Sequence, residues 1–430
     1  MEDIEDLFCA KRLVGEGNVI ESVHEKLLGW YDDNRRALPW RGDCGDFGGK
    51  ITKGGERRQV SAYETWISEI MLQQTRVETV IEYFKRWVKR FPTVQSLAKA
   101  DSDEVNSMWA GLGYYSRARN LHAGAKKVVE NFEGIIPNDR KDLLSIPGIG
   151  AYTCGAILSI AFNKRSPLVD GNVIRVFSRI CAVLREAKDK HTVKGCWTLA
   201  ETLIPQTRPG DFNQALMELG ATVCTPQRPK CEICPIRQHC LAYSKDPQTV
   251  ERYPVKSQRK VLPVENYAVT VFSKQRVSQE GEKEYLLTKR PPKGLLAGQW
   301  EFLHVPIKED SLKCVNKRRK AVERWTAKNP QHLAPCNICR SSGQASDVGS
   351  FKHTFSHLRH VVCVESIELS VVDCKCSIQP SPGATKTPLA WMTADEMHAK
   401  GLTKITKRCL ELVTKVDEPE KPKKKRKTKM

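Results

Sequence analysis

Cys224, Cys231, Cys234 and Cys240 follow one another at the spacing C-x6-C-x2-C-x5-C. Four thiolates can hold a [4Fe-4S] cubane, one per iron, when a tight loop gathers them, and Pro226, Pro229 and Pro235 suit such a loop better than a helix. A zinc ribbon is the rival, but it uses two close C-x2-C pairs, and here only Cys231 and Cys234 are close. Two carboxyls also stand in telling places. Glu69 lies beside an apolar helical stripe, with Trp66 three residues before it and Gln73 four after. A carboxyl partly desolvated there would have a raised pKa and be suited to donating a proton, whereas a solvated helix glutamate would do no chemistry. Asp170 sits in the turn Val169-Asp170-Gly171-Asn172-Val173, where the bland alternative is a cap on the helix that starts at Val173.

Two kinds of element have to position these groups. Apolar side chains recur at Tyr63, Trp66, Ile67 and Ile70, then at Val77, Val80, Ile81, Phe84, Trp87 and Val88, as one stripe at helical spacing. Only Gln73 and Gln74 break it, which predicts a groove or a helix end at that point. Leu143 to Phe162, with Gly148 and Gly150 in its turn, reads as a helix-hairpin-helix, or as a generic two-helix turn. Glycine there lets backbone N–H groups at the start of the second helix approach a phosphate, which the helix dipole favours. Ala151, Gly155, Ala156 and Ser159 give that helix a small-residue face.

Residues 1–20 read as a leader and 21–245 as a helix-rich region containing a flexible surface loop from Gly42 to Gln59. Residues 246–264 are polar, carry prolines and read as a linker. In 265–415, short β-branched and aromatic runs at Tyr267 to Phe272, Tyr285 to Leu287 and His360 to Leu369 predict a mixed α/β domain. Lys308 to Ser350 reads as a basic insertion of weak periodicity, and 416–430 as a basic tail.

The formal net charge of +20 over 430 residues is the balance of a polyanion binder, because each lysine or arginine placed on a phosphate releases counterions. Sixteen cysteines without an apolar signal region point to a reducing compartment. No apolar run approaches the roughly 20 residues needed to span a bilayer. Pro422-Lys-Lys-Lys-Arg-Lys427 is the kind of basic cluster that a nuclear import receptor grips, which predicts a nuclear protein and leaves a mitochondrial form open. The chain is expected to act as a monomer.

Leu38-Pro-Trp-Arg41, Ser68-Glu-Ile-Met-Leu-Gln-Gln-Thr75, Trp109-Ala-Gly-Leu-Gly-Tyr-Tyr115, Ile146-Pro-Gly-Ile-Gly150, Val169-Asp-Gly-Asn-Val173, Phe212-Asn-Gln-Ala-Leu-Met-Glu-Leu-Gly220 and the four cysteines together resemble the adenine DNA glycosylase (MutY) family. The resemblance implies an all-α helix-hairpin-helix glycosylase region with a [4Fe-4S] cluster loop. Its activity would be excision of adenine mispaired with 8-oxoguanine or guanine, after the adenine is flipped out of the duplex. Glu69 would protonate adenine N7. Asp170 would stabilise the sugar cation, directly or through a covalent adduct, while Glu69 helps water finish the reaction. Tyr152 and Asn172 are implied as supporting groups, and Arg41 and Glu218 as neighbours of the adenine pocket. Gln74 and Thr75 would face the damaged guanine, and Leu112 and Tyr114 would fill the gap left by the flipped base.

The endonuclease III branch carries a lysine after the hairpin that attacks the sugar as a Schiff-base nucleophile, and Tyr152 stands at that position here. A bifunctional glycosylase and lyase is therefore the second hypothesis, and a lesion-binding scaffold without chemistry the third.

Leu286 to Phe302 and Phe355-Ser-His-Leu358 resemble the family's C-terminal domain, which implies a Nudix-like α/β fold. The glutamate-rich metal-binding run of Nudix hydrolases is missing after Gly298, so recognition is expected rather than hydrolysis, with Phe355, Ser356 and His357 contacting 8-oxoguanine. Cys336 and Cys339 form a C-x2-C that would serve a second, zinc site with Cys314 or a histidine.

Overall fold

The apolar stripe over residues 63–88 resolves into two helices, α2 (Ala62–Leu72) and α3 (Val77–Arg90). The computed structural model describes residues 17–43, 58–257, 261–276, 282–291, 293–329, 344–369 and 388–417. Cys336, Cys339, the basic tail and most of the Gly42 to Gln59 loop lie outside these. Ser61 starts α2 with a capping box: its hydroxyl accepts from the Glu64 amide, and the Glu64 carboxylate accepts from the Ser61 amide. The helix is then buried on all sides from Tyr63 to Met71. It stops at the two amides the sequence flagged, where Gln73 is the C-cap and Gln74 takes a left-handed φ of 58°.

The chain divides into two compact units. The first comprises residues up to Ala100 together with Arg117–Arg259. Besides α2 and α3 it contains α1 (Gly17–Asn34), α4 (Val94–Lys99), and, beyond the segment holding α5 (Ser102–Trp109), α6 (Ser116–Asn131), α7 (Arg140–Ser145), α8 (Ala151–Ala156), α9 (Gly171–Ile180), α10 (Lys190–Leu203) and α11 (Pro209–Thr222). Helix α1 begins inside the stretch read as a leader. Leu27, Tyr31, Val173, Phe177, Leu199, Phe212 and Leu216 pack α1, α9, α10 and α11 into one core. Between α7 and α8 runs the hairpin Ile146–Gly150, and α8 continues into a wider π turn, Ile157–Ala161. The small-residue face of α8 is used for close packing: a Cβ at Gly155 would stand 2.1 Å from the Pro167 carbonyl oxygen. The polar stretch after Lys245 is held to this unit, since Arg179 Nε donates to Tyr253 O and the Val255 amide to Arg185 O.

The second unit comprises Asp101–Ser116 and the chain from Lys260. Its sheet has strands β1 (Val264–Gln275), β2 (Lys283–Lys289), β3 (Trp300–Glu301), β4 (Leu303–Ile307), β5 (Gln344–Thr354), β6 (Arg359–Glu368) and β7 (Leu389–Thr393). They lie in the order β3-β2-β1-β6-β5, with β4 also on β1 and β7 also on β2. Strand β1 pairs parallel with β6 and antiparallel with β2 and β4. Alternation along β1 sends Val269 and Val271 to one face, with α14 (Ala394–Ala399) and α15 (Lys404–Asp417), and Ala268 and Phe272 to the other, with α13 (Val315–Lys328). Helix α12 (Leu241–Lys245) belongs to the first unit.

The region from Lys308 to Ser350 is therefore more than an irregular insertion, since it holds α13 and the start of β5. Its apolar period is weak because an arginine takes a core-facing position. Arg318 is buried, donating to Leu312 O at 2.6 Å and to the Asp347 carboxylate at 2.5 Å.

Candidate active site and cluster loop

A cavity of about 370 Å³ in the first unit is lined by Glu69, Tyr152, Asp170, Asn172, Arg41, Glu218, Gln74 and Thr75, with Arg36, Gln214 and Met217 among its other walls. These side chains come from α2, α8, α9, α11, their flanking turns and the Pro39–Arg41 turn, so the cavity gathers groups from Arg36 to Glu218 in the sequence.

Glu69 is only 5% exposed. Burial is the main cause that raises its pKa to about 7; the nearby Asp170 adds to the rise, while the Tyr152 hydrogen bond and Arg41 oppose it. Tyr152 Oη donates to Glu69 Oε2 at 2.5 Å. Asp170 is both the cap foreseen and a wall of the cavity. Its Oδ1 accepts from the Val173 amide at 2.7 Å, and its Oδ2 from Asn172 Nδ2 at 2.8 Å. Burial raises its pKa as well, against those hydrogen bonds and Arg175.

Arg175, which nothing in the local sequence singles out, continues this chain of bonds. It donates to Asn172 Oδ1 at 2.8 Å, to Gly220 O at 2.6 Å and to Cys224 O at 2.8 Å. A hydrogen-bonded path thus leads from the Asp170 carboxyl to the first cysteine of the loop.

Glu218 is fully buried, and burial pushes its pKa up. Arg36 and Arg41 outweigh that and hold it below the ordinary range. Arg36 Nε and Arg41 Nη2 reach its two oxygens at 2.7 and 2.8 Å. Arg36 was not legible as a partner. Nor was Arg117, whose buried guanidinium donates to Ile70 O, Met71 O and Gln73 O at the end of α2 and to Thr75 Oγ1. It shapes the turn that presents Gln74 and Thr75.

In the hairpin, Gly148 has φ 85°, and no atom lies within 4 Å of where a Gly150 Cβ would stand, which leaves that backbone open to approach. Leu112 and Tyr114 belong to the second unit, Leu112 being buried and Tyr114 44% exposed with φ 48°. Phe355, Ser356 and His357 form the β5–β6 turn, closed by the Phe355 amide donating to Leu358 O. Ser356 and His357 are exposed at its tip, and Phe355 packs edge-on against His360 at 4.9 Å.

Cys224, Cys231, Cys234 and Cys240 line one hollow with Arg179, Arg237 and Tyr243. Among the described residues, no three cysteine, histidine or carboxylate groups gather tightly enough to share a single ion. Four thiols lining one hollow are the donor set that a [4Fe-4S] cluster uses, one per iron. Burial pushes Cys234 up to about 12 and Cys240 to about 11, so a bound metal is needed to hold them as thiolates near neutral pH. Arg179, 1% exposed, donates to Cys224 Sγ at 3.2 Å and to Thr225 O at 2.8 Å. When bound, the [4Fe-4S] cluster supplies a four-point cross-link for the loop.

Residues 67–202 match the HhH-GPD superfamily of base excision DNA repair proteins, residues 224–240 the iron-sulfur binding domain of endonuclease III, and residues 277–412 the NUDIX domain. The adenine DNA glycosylase of Arabidopsis thaliana is 38% identical over 94% of this chain and 65% of its own length. Those of Rattus norvegicus and Homo sapiens are each 36% identical over 90% of this chain, covering 77% and 73% of their own lengths. Among solved structures, a thermostable thymine-DNA glycosylase is 28% identical, covering 53% of this chain and 97% of that one, with a TM-score of 0.43.

Proposed function

The chain belongs to the adenine DNA glycosylase family of base excision repair enzymes, and from that premise we propose that it hydrolyses the N-glycosidic bond of adenine mispaired with 8-oxoguanine or guanine in duplex DNA. The observation that carries this reading is a buried, proton-holding Glu69 and a capped Asp170 on the walls of one cavity. Glu69 gives its proton to N7 of the flipped adenine. The bond from C1′ to N9 then breaks with its electron pair passing to the base, and the Asp170 carboxylate faces the sugar cation left behind. Glu69, now ionised, takes a proton from the water that attacks C1′, leaving free adenine, an abasic site and a reprotonated acid.

Asp170 has to be ionised for its part, and Val173, Asn172 and Arg175 all favour that form. Tyr152, with its phenol pKa pushed well above the ordinary value by burial, supplies a hydrogen bond to Glu69 rather than a nucleophile. That supports a glycosylase without strong lyase activity. The exposed Ser356 and His357 support the β5–β6 turn as the reader of the base opposite.

The test is a labelled duplex with one adenine opposite 8-oxoguanine, incubated with the protein and divided into samples with and without hot alkali. Breakage only after alkali is expected. Breakage in both samples would favour a lyase, and tight binding without breakage a scaffold. We propose a nuclear site of action on the strength of the basic run 422–427. Exclusion of a tagged chain from nuclei would count against it.

A further inference from the structure

Helix α5 and the loop behind it stand within the stretch of sequence that matches the HhH-GPD superfamily, yet they fold as part of the second unit. Two independent contacts fix them there. Asp103, in the first turn of α5 and with 14% of its side chain exposed, takes Lys289 Nζ from the end of β2 at 2.5 Å and Lys400 Nζ from the turn after α14 at 3.4 Å. Trp300 Nε1 from β3 adds a third donor at 3.4 Å. Burial alone would push this carboxyl up, but Lys289 and the other donors hold its pKa below the ordinary value.

Gly401 is the second contact. With φ 77° it lets the turn after α14 ride on the α5 backbone, and a Cβ there would stand 2.7 Å from Ser107 Cα and 2.8 Å from Asn106 O. Helix α5 ends at Trp109, whose Nε1 donates to Gly113 O at 3.0 Å, so the loop bearing Leu112 and Tyr114 is closed onto the last turn of α5.

We propose that Asp103 is a positioning residue that mounts the base-probing loop, Leu112 to Tyr114, on the unit that also carries the Phe355-Ser356-His357 turn. The side chains that fill the gap in the stack and those that read the opposite base then keep one fixed geometry, so the probe inserts in register with the base being read. A carboxylate held by two ammonium groups suits this task, because charge-assisted bonds are directional and costly to leave half made. This inference rests on the function proposed above for the β5–β6 turn and on the gap-filling role that the family resemblance implies for Leu112 and Tyr114.

The test is a charge exchange in the full-length protein. Asp103→Lys, Asp103→Asn, Lys289→Asp and the double exchange Asp103→Lys with Lys289→Asp are compared with Gly401→Val, which disturbs the same contact without altering charge. Single-turnover adenine excision is measured opposite 8-oxoguanine and opposite guanine, beside thermal melting. Asp103→Lys and Gly401→Val are expected to lose about tenfold of the preference for 8-oxoguanine, with the double exchange recovering part of it, because Lys400 still faces position 103, and Asp103→Asn falling between.

Wild-type preference in both Asp103→Asn and Gly401→Val would overturn the inference, as would a double exchange no better than Asp103→Lys. Should Asp103→Lys fail to fold, Asp103→Asn and Gly401→Val decide. A wild-type protein that excises adenine equally opposite both bases would instead defeat the lesion reading proposed above. The inference would then be judged on excision rate alone, and an unchanged rate in Asp103→Asn and Gly401→Val would overturn it.

Discussion

Glu69 binds its proton more tightly in the folded chain than it would unfolded, because burial has raised its pKa to about 7. Two consequences follow from the sign of that shift. Single-turnover excision should fall as pH rises through about 7, where the acid loses its proton. A flat profile from pH 6 to 8.5 would count against Glu69 as the donor. The folded state should also pay a growing penalty as pH climbs from the ordinary carboxyl range through about 7. Glu69→Gln should therefore abolish turnover while stabilising the protein at pH 8 by up to about 3 kcal/mol, with little gain at pH 5. Paired thermal melts at the two pH values measure this. The position of Glu69 beside the stripe was legible in the sequence, which left a desolvated and a solvated carboxyl both open, and the fold decides between them because α2 is enclosed on its polar side too. The arginines were harder to read. In a chain with 70 lysines and arginines, each looks like a phosphate contact, and only the fold reveals that Arg36, Arg117, Arg175 and Arg179 spend their donors inside the protein.

Helices α9 and α11 meet where a side chain would not fit. A Cβ at Gly220 would stand 2.6 Å from Asn172 Cβ, so Gly220→Ala must displace the amide that joins Asp170 to Arg175. Excision should slow by about tenfold or more while the duplex still binds, a split that single-turnover rates and a binding titration would separate. Arg175→Gln should act in the same direction. At this scale the sequence foretold the end of α2, the hairpin between α7 and α8, and three strands of the sheet, since each announces itself through amides, glycines or β-branched residues. It did not foretell α13 or β5. Lysine and arginine favour helices without supplying an apolar period, and β5 is built from Ser, Gly, Lys and His as much as from apolar residues.

For the molecule as a whole, charge and cluster set the conditions of work. With a net charge of +20, affinity for undamaged duplex should fall steeply and linearly on logarithmic axes as salt rises, and removing the seven positive charges of residues 421–430 should flatten that slope. An unchanged slope would leave the tail without a part in binding. Oxidative loss of the iron should leave thiols that regain protons, loosen residues 224–240 and lower both the melting temperature and DNA affinity. Absorbance of the cluster followed alongside melting would show whether the two go together. The division into a helical part and a sheet-bearing part could be read from the change in residue types near Ser244. That α5 folds with the sheet could not, because the contact depends on Asp103, Lys289 and Lys400, three charged residues far apart in the sequence and ordinary in their neighbourhoods.

The carboxyl of Asp170 is also the start of a helix. Its Oδ1 is held by the Val173 amide and its Oδ2 by Asn172, which restrains it from turning away from the cavity it lines. Its orientation is settled when α9 folds and need not be found again at each encounter with substrate. The same capping bond ties the carboxyl to the core, since Val173, whose amide holds Oδ1, is buried between α9 and α11, so the carboxyl is released only when that core opens. Thermal inactivation should therefore coincide with thermal unfolding rather than run ahead of it.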